Sequence, residues 1–323
     1  MPCYQPVLRV FYRHFLTGKL YSIGVDYHGE PLDDLRHDYE GTYRLDHGCK
    51  DYYEKLVLTP CGKCIGCRTD KRREWTSRLI LEDKDEQKKG YSGYFITLTY
   101  DDSHLPSDGC LVKKDFQDFM KRFRVNFKRR FDVDDVRFFG CGEYGEQFHR
   151  PHYHLICWVP LNIVAVKFIT SLSWSFGYVE VDYASVDRFA YVAGYVSKKL
   201  IDSGDIEAVD VDTGEVTKLV KEFILMSRRP GIGAAYPISK IKETGKIYLN
   251  DGKKVSPPRY YKNKLTSQEK EDLRIRGSPV DIRYSEFCAS GKSWSGFLAD
   301  EFETAVKRLQ LNKFNNSKGK RRL

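Results

Sequence analysis

Apolar residues in the middle of the chain follow first the strand period and then the helix period. Residues 94–100 are β-branched or aromatic almost throughout, which predicts a buried strand. Residues 113–131 carry phenylalanine and methionine at spacings of three and four between lysines and arginines, which predicts an amphipathic helix. The same reasoning predicts strands at 136–144, 152–159 and 177–184, and helices at 161–174 and 188–200, the last one capped by Asp187.

This order of elements predicts an α+β fold with a central antiparallel sheet of split-βαβ type, flanked by helices. We expect three parts. Residues 1–90 form a cysteine-rich N-terminal arm, irregular over 1–60, with a charged, solvated helix at 69–89. Residues 91–200 form the core. Residues 201–323 form a C-terminal appendage with a basic tail, hairpin turns at 212–215 and 250–252, and a helix at 296–311.

Charge and composition narrow the class of protein. The 54 basic and 45 acidic residues give a net charge of +9, which suits a polyanionic partner, although many basic proteins bind no nucleic acid. No segment approaches the roughly 20 apolar residues that span a bilayer, and residues 1–15 lack a secretory apolar core. We therefore expect a cytoplasmic protein whose nine cysteines are thiols or metal ligands.

Two histidines separated by one residue are the strongest chemical signal. His152 and His154 lie in a predicted strand, so both imidazoles project from one face. If the preceding hairpin is symmetric, Glu143 lies opposite His152 on that face. Two imidazoles and a carboxylate form a site for a divalent cation that polarises a phosphate. The alternative is a pair of histidines that serve only surface or hydrogen-bonding roles.

A second signal lies in the last predicted helix. Tyr191, Tyr195 and Lys198 fall at positions i, i+4 and i+7, on one helical face. Two adjacent phenols beside an ammonium group can act as successive nucleophiles on DNA phosphate, provided that a cation and the lysine assist. Helical aromatic stripes more often pack against a sheet, and that interpretation stays open for the tyrosines.

Three cysteines are clustered at Cys61, Cys64 and Cys67. This spacing can hold a zinc ion if a fourth ligand comes from elsewhere, with Cys3 as the first candidate and Cys49 or His47 behind it. An iron–sulfur centre and uncoordinated thiols are the alternatives.

A basic loop at 227–233 contains two arginines and two glycines. Its backbone could approach a phosphate while the arginines pair with it, or it could be an ordinary surface turn.

Taken together, these motifs resemble the HUH endonuclease superfamily, and in particular the replication initiators of microviruses of the gokushovirus branch. The resemblance rests on FITLTY at 95–100, GEYGE at 142–146, RPHYH at 150–154 and YVAGYVSKK at 191–199. The start of the chain, the cysteine cluster and the 227–233 loop are similar to that branch as well.

The resemblance implies a rolling-circle replication initiator. His152, His154 and Glu143 would hold Mg²⁺ or Mn²⁺, and Tyr191 or Tyr195 would attack the origin. The products would be a 5′-phosphotyrosine and a 3′-OH primer, and the second tyrosine would later cut the regenerated origin so that the strand closes. Lys198, or else Lys199, would stabilise charge. The partners would be single-stranded origin DNA and a host helicase with its replication machinery, in the bacterial cytoplasm.

Two other classes of function compete with this one. A non-enzymatic basic DNA-binding protein with a structural zinc explains the charge and the cysteines. It gives no reason for paired histidines and paired tyrosines in one chain. A metal-dependent nuclease that uses water would leave both tyrosines structural.

Overall fold

The structure is a computed structural model. It describes residues 7–13, 20–25, 53–145, 149–198, 206–209, 216–249 and 252–275, and the single positions 290, 291 and 300. The chain divides into two compact units, residues 1–67 with 277–323, and residues 68–276. Among the described residues, no helix combines the length and apolar character needed to cross a membrane. The predicted three-part division at 90/91 and 200/201 stays a prediction.

The first unit contains a three-stranded antiparallel sheet. Its strands are β1 (Val7–Arg13), β2 (Leu20–Val25) and β3 (Tyr53–Thr59), in the order β2-β1-β3. The prediction that residues 1–60 are irregular is therefore wrong for these segments. β1 pairs with β2, which is close in sequence, and with β3, which is about 40 residues away. Pairing over such a long sequence separation leaves little trace in local periodicity.

The second unit follows the predicted order of elements. It runs through α1 (Ile65–Lys88, whose first residues belong to the other unit), β4 (Ser92–Tyr100), α2 (Lys113–Phe131), β5 (Arg137–Tyr144), β6 (Pro151–Val159), α3 (Ile163–Ser173), β7 (Gly177–Tyr183) and α4 (Val186–Lys198). The predicted cap at Asp187 is wrong. The Ser185 hydroxyl accepts a hydrogen bond from the Arg188 amide at 3.4 Å, so α4 begins one residue before Asp187.

A five-stranded antiparallel sheet forms the centre of this unit, which confirms the predicted fold class. With β10 (Phe223–Met226) at one edge, its order is β10-β5-β6-β4-β7. One face, which we call the closed face, packs against α2 and α3 in an aromatic core that includes Tyr94, Leu98, Tyr100, Tyr153, Leu155, Phe116 and Phe123. Gly140 and Gly142 of β5 admit this core, since a Cβ would lie 2.7 Å from the Phe116 ring and 2.9 Å from the Phe223 ring.

The opposite face, the site face, carries Phe139, Ile156 and Trp158 against α1 and α4. The prediction that α1 is a solvated helix is wrong. Leu79 is fully buried, and Glu82 and Glu86 are buried as well. Arg137 pairs with Glu82, and Lys89 pairs with Glu86 at 2.7 Å. A charged pattern suggests solvent exposure, but Glu82 is buried because Arg137 of β5 neutralises it, and Glu86 is buried beside Lys89 just after the end of α1.

The remaining elements are β8 (Ile206–Val209), β9 (Val216–Leu219), α5 (Ile238–Thr244), β11 (Ile247–Tyr248), β12 (Lys254–Val255), α6 (Arg259–Lys262) and α7 (Ser267–Ile275). β8 pairs with β9 and β11 with β12, both antiparallel, as the predicted hairpins require. Most of the predicted turn residues lie outside the described residues, as does the predicted helix at 296–311 apart from Asp300. Leu81 of α1 joins Ile241, Tyr261 and Leu265 in a further apolar cluster.

Candidate active site

The hairpin of β5 and β6 brings the predicted metal ligands together. Glu143 lies directly opposite His152, as expected from the symmetry of the hairpin, and Cys141 lies opposite His154. Because opposed residues share a face and alternate residues return to it, all three predicted ligands project from the site face.

Glu143 is the centre of the site. Its Oε1 lies 2.7 Å from Nε2 of His152 and 2.7 Å from Nε2 of His154. The ligand atoms of the three residues all lie within 4.8 Å of one another. Glu143 and His154 are buried, and His152 is partly buried. The arrangement is a compact set of two nitrogen donors and one carboxylate, the kind that binds a divalent transition-type cation.

α4 carries the two tyrosines to this site. The Tyr191 hydroxyl donates a hydrogen bond to Glu143 Oε1 at 2.8 Å and lies 3.5 Å from His154 Nε2. The Tyr195 hydroxyl donates to the Tyr191 oxygen at 2.9 Å. The backbone of α4 is fixed beside Tyr191, since the Arg72 guanidinium of α1 donates to the Ala190 carbonyl at 2.8 Å. The structure thus joins the tyrosine and histidine motifs, which are well separated in the sequence.

Neighbouring groups orient both imidazoles. Nδ1 of His152 lies 3.1 Å from the Arg150 carbonyl, which can only accept, so this nitrogen carries a proton. Nδ1 of His154 lies 3.1 Å from the Thr97 hydroxyl of β4, and the Phe95 ring stacks on His154 at 5.1 Å between ring centroids. Both Nε2 atoms face Glu143. Sequence reasoning missed Thr97 and Phe95, because only the strand order places β4 beside β6.

Electrostatics favour an ionised carboxylate here. Burial acts to raise the pKa of Glu143, but hydrogen bonds from His152, His154 and Tyr191 lower that pKa to about 2. The pKa of His152 is raised, because its bonds to Glu143 and to the Arg150 carbonyl outweigh burial.

An unpartnered oxygen of Glu143 also indicates that these three residues can hold a divalent cation. Among the described residues, Glu143 Oε2 is a buried oxygen without a hydrogen-bond partner, and such atoms are rare in folded proteins. A carboxylate whose second oxygen has no hydrogen-bond partner, and which lies beside two imidazole nitrogens, is suited to bind a metal.

Tyr153, the residue between the two histidines, points to the closed face. Its hydroxyl donates to the Val112 carbonyl at 2.9 Å, accepts from the Val112 amide at 3.1 Å and lies 2.7 Å from the Tyr100 hydroxyl. These bonds fix β6 to the residue that precedes α2. Tyr153 therefore supports the strand that carries the histidines.

The three clustered cysteines lie together at the start of α1, in the first unit. Their sulfur atoms are within 4.8 Å of one another, with Cys61 and Cys67 at 3.9 Å. The Cys64 amide donates to the Cys61 sulfur at 3.3 Å. This geometry is compatible with a bound metal. The candidate fourth ligands, Cys3, His47 and Cys49, lie outside the described residues.

The end of the 227–233 loop is held by hydrogen bonds to α1 and to Tyr261. The Gly233 amide donates to Glu82 at 2.6 Å, its carbonyl accepts from Tyr261 at 2.5 Å, and Arg78 donates to the Ile232 carbonyl at 2.9 Å. Gly233 has a φ of +73°, and a Cβ there would lie 2.7 Å from the Tyr261 hydroxyl. These contacts favour a structural role for this glycine, while Arg228 and Arg229 are exposed.

The Lys198 side chain and Lys199 lie outside the described residues.

Known proteins resemble this chain over its core and beyond. The family model described as replication-associated protein ORF2/G2P matches residues 93–200. The chain is 30% identical over 248 residues to replication-associated protein VP4 of Bdellovibrio phage phiMH2K, covering 70% of this chain and 73% of that protein.

Two further relatives match the chain with similar identity and coverage. Identity to replication-associated protein ORF2 of Spiroplasma virus 4 is 28% over 288 residues, covering 77% of this chain and 84% of that protein. Identity to replication-associated protein ORF4 of Chlamydia phage 1 is 27% over 256 residues, covering 72% and 60%. No solved structure matches the chain significantly. These matches confirm the resemblance to phage replication proteins.

Proposed function

The chain belongs to the replication-associated protein ORF2/G2P family, and on this premise we propose that it initiates rolling-circle replication as a metal-dependent, tyrosine-using DNA endonuclease. One observation carries the proposal. The Tyr191 hydroxyl lies 2.8 Å from Glu143, which also contacts both histidines. A potential nucleophile and a potential metal site therefore share one buried carboxylate.

Glu143, His152 and His154 would hold Mg²⁺ or Mn²⁺. The mixed imidazole and carboxylate set suits Mn²⁺ better than Mg²⁺, which prefers oxygen ligands alone. When bound, the cation supplies Lewis-acid polarisation of the scissile phosphate. Nδ1 of each histidine is engaged by Arg150 or Thr97, so Nε2 is left to face the ligand position.

Cleavage is a transesterification. A tyrosine oxygen forms a bond to phosphorus, the bond from phosphorus to the 3′ oxygen breaks, and the 3′ oxygen leaves with the bonding electrons. The phenol releases its proton and the 3′ oxygen takes one up, which gives a 5′-phosphotyrosine and a 3′-OH primer. The reverse reaction by a later 3′-OH joins the strand. Lys198, or Lys199, would stabilise charge on the phosphate or phenolate.

We place the protein in the cytoplasm of the infected bacterium, where it acts on single-stranded origin DNA. The +9 net charge supports a polyanionic substrate. The reaction needs no ATP, but strand separation does, so a host helicase and replication machinery are the expected protein partners.

The decisive experiment incubates the purified protein with single-stranded phage DNA and Mn²⁺, followed by denaturing gels. We expect DNA that migrates covalently attached to protein, and no such product with EDTA or with Tyr191→Phe/Tyr195→Phe. If the double variant still cuts, the enzyme is a nuclease that uses water. If DNA is retained without any cut under any metal, the chain is a non-enzymatic binding protein.

For the cysteine cluster we propose a structural zinc held by Cys61, Cys64 and Cys67, with Cys3 as fourth ligand. The hydrogen bond that the Cys64 backbone amide donates to the Cys61 sulfur supports a thiolate at Cys61. Metal analysis of the purified chain should find one zinc per molecule, lost in Cys64→Ser but kept in Cys157→Ser, which changes a buried cysteine outside the cluster. Iron with sulfide would identify an iron–sulfur centre instead, and a metal-free wild type would leave the cysteines as thiols.

A further inference from the structure

The two tyrosines of α4 occupy different environments. The Tyr191 side chain is 43% exposed, whereas Tyr195 is 8% exposed. Tyr195 belongs to the buried apolar cluster that also includes Leu79, Phe189, Val192 and Ile232. The pair therefore differs in access to a DNA strand, although both rings lie on one helical face.

Their hydroxyl groups also differ in distance from the candidate metal ligands. The Tyr191 oxygen contacts Glu143 at 2.8 Å and His154 at 3.5 Å. The Tyr195 oxygen reaches the site through Tyr191, to which it donates a hydrogen bond at 2.9 Å. The rings are 5.4 Å apart and nearly perpendicular. Tyr195 cannot bring its oxygen to Glu143 while the Tyr191 oxygen occupies that position.

We propose that Tyr191 makes the first cut and that Tyr195 is held in reserve for the second, an inference that rests on the proposed endonuclease function. In the first step the Tyr191 oxygen bonds to phosphorus and the 3′ oxygen leaves, with one proton lost by the phenol and one gained by the 3′ oxygen. The Tyr191 oxygen then bridges the ring and a phosphate, which makes it a poor hydrogen-bond acceptor.

The second step follows from that change. Tyr195 loses the Tyr191 oxygen as a hydrogen-bond acceptor, and rotation of the two side chains would bring the Tyr195 hydroxyl to Glu143 as the DNA-linked Tyr191 moves away. Its oxygen then attacks the regenerated origin, and the released 3′-OH displaces Tyr191 from the first phosphate. The hydrogen bond between the two phenols thus orders the two reactions, because the second nucleophile is released by the use of the first. The bond from Arg72 to the Ala190 carbonyl holds the backbone of α4 beside Tyr191, so the exchange that we propose is a rotation of side chains on a fixed helix.

The test compares Tyr191→Phe with Tyr195→Phe, a matched pair in which each variant loses one hydroxyl and keeps its ring. Under single-turnover conditions with single-stranded phage DNA and Mn²⁺, Tyr195→Phe should still form the first covalent adduct, because it keeps the Tyr191 hydroxyl. Tyr191→Phe should form it at least 100-fold more slowly. Tyr195→Phe should then accumulate the adduct without producing closed circles.

Peptide mapping of the wild-type adduct needs no variant and guards against misfolded mutants. After one turnover, the DNA-linked tyrosine should be Tyr191. Equal first-cut rates for the two variants, or an early wild-type adduct on Tyr195, would overturn the order while leaving the endonuclease intact. DNA cutting without a covalent adduct, or no cutting at all, would instead remove the proposed function and this inference with it.

Discussion

The two faces of the five-stranded sheet use the same strands for opposite purposes. On the closed face, β6 presents Tyr153, Leu155 and Cys157 to a core without solvent access. On the site face, the same strand presents His152 and His154 to Glu143 and Tyr191. On the closed face the Tyr153 hydroxyl has its hydrogen-bond partners, whereas on the site face Glu143 Oε2 is buried without a hydrogen-bond partner among the described residues.

This difference shows how a small sheet can hold a costly site. Each fully buried aromatic or aliphatic side chain of the closed face stabilises the fold by about 1.5–3 kcal/mol. That packing fixes the strands which carry a buried carboxylate, a group that costs free energy to bury unless it is paired. Because side chains alternate along a strand, the rigid core and the chemistry are separated by one residue.

The largest effect should come from removing a ligand on the site face. His152→Ala or His154→Ala should lower the single-turnover rate of DNA cleavage more than about 100-fold, since loss of even an outer partner of a metal ligand costs about 10- to 100-fold. Gel assays over a Mn²⁺ titration measure this effect. His104→Ala, which changes an exposed histidine paired with Asp101, is the matched control and should cleave normally. Normal cleavage by both site variants would contradict the proposed metal site.

A smaller effect is expected at the open edge of the site face. Glu143, His152, Thr99 and Tyr178 lie in one row across neighbouring strands, and the Tyr178 ring is 71% exposed. An exposed ring in line with the site can stack a DNA base, which contributes about 1–3 kcal/mol. Tyr178→Ala should therefore weaken binding of a labelled single-stranded oligonucleotide roughly tenfold, measured by fluorescence anisotropy in the Tyr191→Phe/Tyr195→Phe background.

Tyr183→Ala is the control for this prediction. Tyr183 belongs to the same strand and is 58% exposed, but it alternates to the closed face, where its ring lies 5.4 Å from Tyr94. Its removal should leave oligonucleotide binding unchanged. Equal losses for the two tyrosines would show that the DNA does not follow the site face.

The smallest effect on activity is expected on the closed face. Tyr153→Phe removes the hydroxyl that accepts from the Val112 amide and donates to its carbonyl. The carbonyl keeps its bond from the Asp115 amide but the Val112 amide loses this acceptor, so the free energy of unfolding should fall by about 1–3 kcal/mol. Urea unfolding measures this loss. Cleavage by the folded variant should stay within about threefold of wild type, because the hydroxyl points away from the site. A large loss of cleavage without loss of stability would show that Tyr153 positions the histidines directly.

Much of the core could be predicted from local pattern. The spacing of Phe116, Phe119 and Phe123 predicted α2 over the range that the structure shows. The symmetry of the hairpin correctly predicted that Glu143 lies opposite His152. These predictions succeed because helix period, strand period and hairpin pairing are short-range properties. The N-terminal strands and the burial of α1 were missed, since both depend on partners distant in sequence. The burial of Glu82, for example, depends on Arg137 and on the Gly233 amide.

The sequence by itself therefore determined the α+β class, the type and order of the core elements and the residue types able to bind a cation or attack a phosphate. Only the tertiary structure decided that β4 lies beside β6, so that Thr97 contacts His154, and that α4 crosses the site face, so that Tyr191 contacts Glu143 while Tyr195 lies behind it. The physical reason is that periodicity fixes which face a side chain takes. Strand order and helix placement depend instead on packing between residues far apart in the chain.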